Sequence, residues 1–182
     1  MTHYFFTRHG ESQANVDQVF AGVMDSPLTD KGRADAAIEG QRLRADGLTF
    51  DLIISSPLTR AKETAEILAR AVRYSTDAII VDSCLVERSF GILAGKPWST
   101  IEDETATTIS DMGGESIDEF AQRVKLALAW IAQASIGKQS VLIVGHGSWY
   151  QMAESLLMGK AANDFLEAKS LPNNVVVDFP LT

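Results

Sequence analysis

The chain has 182 residues, 46% of them hydrophobic, enough to bury a sizeable core without disulfide staples, and one domain spanning 1–182 is expected. The 16 Lys and Arg against 24 Asp and Glu leave a formal charge of −8 without a basic run, which excludes non-specific nucleic-acid binding and argues against an anionic membrane surface as partner. Cys84 has no second cysteine to pair with, Met1 to Phe6 lacks the basic flank and apolar length of a signal peptide, and no run approaches the roughly 18 apolar residues of a membrane span, so a cytoplasmic protein is expected.

Along the chain, Tyr4-Phe5-Phe6 reads as a buried strand that runs into the polar segment Thr7-Arg8-His9-Gly10-Glu11. Asp25-Ser26-Pro27 marks a loop before a helical pattern over 29–45. Leu52-Ile53-Ile54 is the next strand, followed by a helix over 58–74 and a strand candidate at 78–81. Glu87-Arg88 sits in a glycine-rich loop. Segment 94–114, with Trp98 and without a strong helical period, is a candidate specificity lid, and Phe20, Trp149 and Tyr150 are either its floor or core. Ser116-Ile117-Asp118-Glu119 is a capping box that opens a helix over 116–134, whose Ile117, Phe120, Ala121, Val124, Leu128 and Ile131 form one buried stripe. Val141-Leu142-Ile143-Val144 is a third strong strand, with a helix over 148–157 behind it and a last strand at 175–179. Strands alternating with helices indicate an α/β sheet covered on both faces.

In such sheets ligands collect beyond the carboxyl ends of the strands, where loops enter helices whose N-termini favour anions. Three polar clusters occupy that position: Arg8-His9-Gly10-Glu11-Ser12 with Asn15, Ser55-Ser56-Pro57-Leu58-Thr59-Arg60, and Gly145-His146-Gly147-Ser148. Two of the chain's 3 histidines and two arginines thus fall at strand ends, while His3, at the start of a strand, has no visible partner. Other phosphate chemistries fit poorly. Gly91 to Pro97 resembles a P-loop but is one residue short and has Pro97 where magnesium-binding Ser or Thr should stand. Cys84 lies too close to Arg88 for a cysteine-dependent phosphatase loop and reads as a small buried hydrophobe. Zinc is not expected either: His-Glu-x-x-His is absent, and no metal or other cofactor is implied.

These blocks, together with Ala61, Thr64-Ala65, Glu87 with Gly91, and Gly114-Glu115-Ser116, resemble the histidine phosphatase superfamily, also called the phosphoglycerate-mutase-like family, in the right order over essentially the whole chain. The resemblance implies a three-layer α/β/α sandwich with a mostly parallel central sheet. It implies that His9 is the nucleophile and forms a phosphohistidine. Arg8, Arg60 and His146 would surround the phosphoryl oxygens, Gly147 would belong to the same binding loop, Asn15 would add a hydrogen bond, and Glu87 would donate and accept the proton. Arg88 has no matched role and is expected in a surface ion pair. Charge stabilisation by planar guanidinium forks is what phosphoryl transfer requires, and the same cations should lower the pKa of His9.

The expected activity is hydrolysis of a small phosphorylated metabolite; the alternatives are a cofactor-dependent phosphoglycerate mutase or an inactive phospho-ligand-binding protein. Hydrolysis is favoured by the 58 residues between Glu87 and His146, fewer than family mutases carry, and by the short chain after 175–179. Where the family often has Gly-x-x-Glu-Gly this chain reads Gly91-Ile92-Leu93-Ala94-Gly95, so one relative's substrate does not transfer. The oligomeric state is not legible in the sequence, and a homodimer is compatible with it.

Overall fold

The computed structural model describes residues 1–101, 106–168 and 170–181. Strands β1 (His3–Arg8), β2 (Leu52–Ser55), β3 (Ile80–Val81), β4 (Ser140–Gly145) and β5 (Val176–Phe179) form one sheet in the order β3-β2-β4-β1-β5. Neighbouring strands run parallel except β5, which lies antiparallel on β1. Helices α1 (Gln13–Val16), α2 (Asp30–Ala45), α3 (Thr59–Ala71), α4 (Ala106–Asp111), α5 (Ile117–Ala134) and α6 (Gly147–Leu157) connect them.

Successive strand residues point to opposite faces, so the unbroken apolar runs serve two cores at once. Phe5, Ile53, Leu142 and Val144 pack against Leu43 of α2 and Ala61, Ala65 and Leu68 of α3. On the other face Tyr4, Phe6, Leu52, Ile54, Val141 and Ile143 meet Phe120, Val124 and Ile131 of α5 and Trp149 and Ala153 of α6. The result is the three-layer sandwich with a mostly parallel sheet. Ser116 and Glu119 satisfy each other's backbone N–H groups at the start of α5, and the Thr29 hydroxyl accepts from Gly32 N–H at the start of α2. A side-chain cap of this kind is worth about 1 kcal/mol.

Several expectations change. Residues Thr76–Ala78 form a 3₁₀ turn, which leaves only Ile80 and Val81 as an exposed edge strand held by two residue pairs with β2. Within 94–114, Trp98–Thr100 and Ala106–Asp111 are helical turns too short to show a period, while 102–105 lie outside the described residues. Trp149 stacks on Phe6 at 5.6 Å between ring centroids, and Tyr150 packs on Phe6 and Phe179, so both belong to the core and not to a pocket floor.

Strand register decides which side chains meet at the edge of the sheet. Arg8 pairs with Gly145 and Ser55 with Val144, so the chain leaves three adjacent parallel strands at one level, at His9, Ser56 and His146.

Candidate active site

His9 extends the ladder by one bond, its N–H donating to the Gly145 carbonyl at 2.9 Å. Its ring is buried, and Nδ1 lies 2.7 Å from the Gly10 carbonyl, which can only accept; Nδ1 therefore carries the proton. That fixes Nε2 as the nitrogen with a free lone pair, and Arg60 Nε donates to it at 3.2 Å. Burial, then the charges of Arg60 and Arg8, push the imidazolium pKa well below the usual histidine range, against the opposing pull of the Gly10 bond. The loop is pinned from behind by Gly32, where a Cβ would stand 2.2 Å from the Glu11 carbonyl oxygen, so only glycine lets α2 approach this closely.

Arg60, at the second position of α3, is 1% exposed. Besides Nε on His9, its Nη1 donates to the Met24 carbonyl at 2.9 Å and its Nη2 to the Gly22 carbonyl at 2.7 Å. Asp25, next to Met24, accepts from Thr59 N–H and Thr59 Oγ1, which ties the 22–25 loop to the start of α3. The planar fork is thereby aimed before any ligand arrives. Arg8 is held less firmly: Nη1 reaches the Leu171 carbonyl at 3.4 Å, and Nε is buried without a hydrogen-bond partner among the described residues. Burial lowers the pKa of both guanidinium groups, with Glu87 as the principal attraction opposing it.

His146 is the N-cap of α6 and is fully buried. Its Nε2 lies 2.8 Å from Ser56 Oγ, its ring centroid is 5.2 Å from that of His9, and its Nδ1 is buried with no partner among the described residues. Burial, then Arg60, His9 and Arg8, push its pKa well below the usual range and keep it neutral. At Gly147 a Cβ would come 3.4 Å from Arg8 Cζ, so the glycine lets that guanidinium lie against the helix start.

Glu87 caps the same helix. Ser148 N–H donates to Oε2 and Trp149 N–H to Oε1, both at 3.1 Å, and Arg88 N–H adds a bond to Oε1 at 2.9 Å. An anionic carboxylate suits the positive end of a helix. The loop carrying it is gathered by Arg123 of α5, which donates through Nη1 to the Cys84 and Val86 carbonyls at 3.0 and 2.8 Å, through Nη2 to Glu87 O at 3.4 Å, and pairs with Glu115 at 2.7 Å. Arg88 is not the surface ion-pair partner expected from sequence. It is 1% exposed, donates through Nε to the Glu115 carbonyl at 3.0 Å and lies 5.8 Å over the Phe165 ring, so segments distant in the chain cover it.

Arg8, His9, Asn15, Arg60, Glu87 and Gly147 line one cavity of about 260 Å³. His146 stands behind His9 and is not part of the wall. Asn15 Oδ1 accepts from Ser12 N–H and Oγ, which leaves its amide N–H groups as its donors. Sequence reasoning placed Ser12 in the first cluster without a role of its own, and it missed Val19, Phe90 and Gln151 on the wall and Arg123 behind it. Among the described residues no group of three or more His, Cys, Asp or Glu could hold a metal ion, and no helix is long and apolar enough to cross a membrane.

The sequence profile of the histidine phosphatase superfamily (branch 1) matches residues 4–177. The chain belongs to that superfamily. Among superfamily relatives it is 32% identical to the 2,3-bisphosphoglycerate-dependent phosphoglycerate mutase of Mesorhizobium japonicum over 88% of this chain and 83% of the other. Of solved structures, it is similar to Bacillus stearothermophilus YhfR at 30% identity and a TM-score of 0.83, covering 97% of this chain and 89% of that one. It is also similar to the alpha-ribazole phosphatase of Shigella flexneri at 26% identity and a TM-score of 0.80, covering 96% and 88%. Superfamily members with this fold therefore include mutases and phosphatases.

Proposed function

We propose that this histidine phosphatase superfamily member is a phosphomonoester hydrolase that works in two in-line steps through phospho-His9 and needs no metal. The observation that carries the reading is the neutral His9 ring, tied at Nδ1 with its Nε2 lone pair turned to Arg60, inside a cavity lined by Arg8, Arg60 and Glu87. In the first step His9 Nε2 attacks phosphorus, the P–O bond to the alcohol breaks, and the leaving oxygen takes, through Glu87, the proton that the ester monoanion brings into the site. In the second, water attacks phosphorus, Glu87 takes its proton, the P–N bond breaks and inorganic phosphate leaves. Arg8 and Arg60 balance the charge on the equatorial oxygens. His146 contributes from behind His9: when Ser56 Oγ donates to Nε2, the proton sits on Nδ1, and the neutral ring backs the nucleophile without adding a cation beside it. Asn15 supplies a further amide N–H.

A mutase reading is favoured by the relative from Mesorhizobium japonicum. The two reactions share the first step and differ in whether water or a phosphorylated alcohol accepts the phosphoryl group. They are separated by incubating the protein with a primary alkyl phosphate and a chelator and following inorganic phosphate. Release that continues in EDTA and disappears in His9→Ala is the expected result. Release that requires magnesium or zinc, or turnover seen only when a monophosphorylated alcohol is added as acceptor, would overturn it. Vanadate binding without turnover of any ester would instead indicate a phospho-ligand-binding protein.

A further inference from the structure

The cavity is chemically divided. Its cations, among the described lining residues, are Arg8 and Arg60, and both stand beside His9. Val19, Phe20, Phe90 and Trp98 give the cavity an apolar stretch of wall, beside the neutral polar Ser148 and Ser170. On the α6 side Gln151 contributes an amide, but its Nε2 is committed to the Ala168 carbonyl at 2.8 Å. Among the described lining residues no cation stands on this wall, so a second phosphate or a carboxylate on the substrate would lose its hydration there without gaining one.

The wall is already built. Val19 bridges Pro97 in antiparallel register, Phe20 N–H donates to the Lys96 carbonyl at 2.9 Å, Gly95 N–H to Phe20 O at 2.8 Å, and Trp98 N–H to Gln18 O at 2.9 Å. The Phe20 ring packs on Phe90 at 4.9 Å, and both rest on Leu93 and Ile109 in a small core of their own. Trp98, in contrast, is 42% exposed at the mouth, a large aromatic surface left in water beside the cavity. Rigid aromatic surface bounded by fixed backbone bonds binds a flat apolar group without an ordering cost.

We propose that Val19, Phe20, Phe90 and Trp98 form a leaving-group subsite, and that the substrates are monophosphate esters of neutral alcohols carrying an aromatic or similarly flat apolar ring, without a second anionic group. This rests on the hydrolase reading and narrows it to a substrate class.

The test compares kcat/KM for 2-phenylethyl phosphate, ethyl phosphate and 3-phosphoglycerate. The aryl ester should exceed ethyl phosphate by at least about tenfold, the size expected for covering one ring with apolar wall, and 3-phosphoglycerate should be the poorest of the three. Trp98→Ala should shrink the aryl-to-ethyl ratio to within about threefold of unity. Trp98→Arg, which places a cation on an exposed position, should raise the preference for 3-phosphoglycerate relative to the aryl ester. Equal rates on aryl and ethyl esters, or a preference for 3-phosphoglycerate in the parent protein, refute the subsite and leave the hydrolase reading intact. Failure to hydrolyse any of the three refutes the hydrolase reading and the subsite with it.

Discussion

Replacing Arg8 with Met is expected to separate activity from stability. The guanidinium is desolvated in the cavity wall, which lowers its pKa, and the Glu87 charge opposes that shift. It receives little in return from the protein, since Nε has no hydrogen-bond partner among the described residues and the bond to Leu171 is 3.4 Å long. An unsatisfied buried donor costs about 1–3 kcal/mol; losing the attraction of Glu87 offsets part of what Met recovers. Arg8→Met should therefore be as stable as the parent or more stable by about 1 kcal/mol, which for this length raises Tm by about 2–4 °C. The same change removes a preorganised charge from the phosphoryl site and should slow phosphoenzyme formation by about 10²- to 10³-fold. Thermal unfolding and single-turnover kinetics on one preparation measure both. A variant destabilised by more than about 1 kcal/mol, or one whose rate stays within about threefold of the parent, would refute the reasoning.

Glu87→Gln should slow hydrolysis of an alkyl phosphate by roughly a hundredfold while sparing an ester with an acidic phenol leaving group, measured in the first step; equal losses on both would make Glu87 a structural cap of α6 only. Arg123→Met removes the group that gathers the Cys84, Val86 and Glu87 carbonyls and strands Glu115. It should cost about 2–3 kcal/mol of stability and reproduce the leaving-group sensitivity of Glu87→Gln, with partial rescue by Arg123→Lys; a stability loss without that sensitivity would confine Arg123 to folding. His9 and His146 are held neutral in the fold below their unfolded pKa of 6.5, so the unfolded chain takes up protons first. Their effect is to make stability complete above that value and to remove it as the pH falls below, with a slope approaching ~2.7 kcal/mol per pH unit for two protons. Denaturant midpoints of the parent and of a His9→Gln, His146→Gln double variant should diverge in slope below pH 6.5, and parallel curves would contradict the assignment.

How much of the fold and site is legible in the sequence depends on how locally each feature is encoded. Strands β1, β2 and β4 are continuous apolar runs because both faces are covered, and the residues just beyond them are the ones that parallel register brings together, so Arg8, His9, Arg60 and His146 are legible as a set. Strand β3 is legible at Ile80 and Val81 but not in its extent, since with one neighbour and two residue pairs it is shorter than its apolar run. Arg123 is invisible because its partners are mostly backbone carbonyls, which every sequence has, and Arg88 misleads because the ring and carbonyl that bury it come from distant parts of the chain. Trp149 and Tyr150 share α6 with Ser148 and Gln151, and only the turn of the helix decides that the aromatics face Phe6 and the polar pair faces the cavity.

The central claim is that phosphate passes through a covalent bond to His9 Nε2. Mixing the protein with an alkyl phosphate labelled in the phosphoryl group, quenching in alkali within one turnover and mapping the label by peptide mass spectrometry tests this directly. The expected result is an acid-labile, alkali-stable label on the peptide containing His9, formed no more slowly than phosphate is released and absent in His9→Ala. Steady phosphate release without any labelled enzyme, or label carried by another residue, would contradict the account.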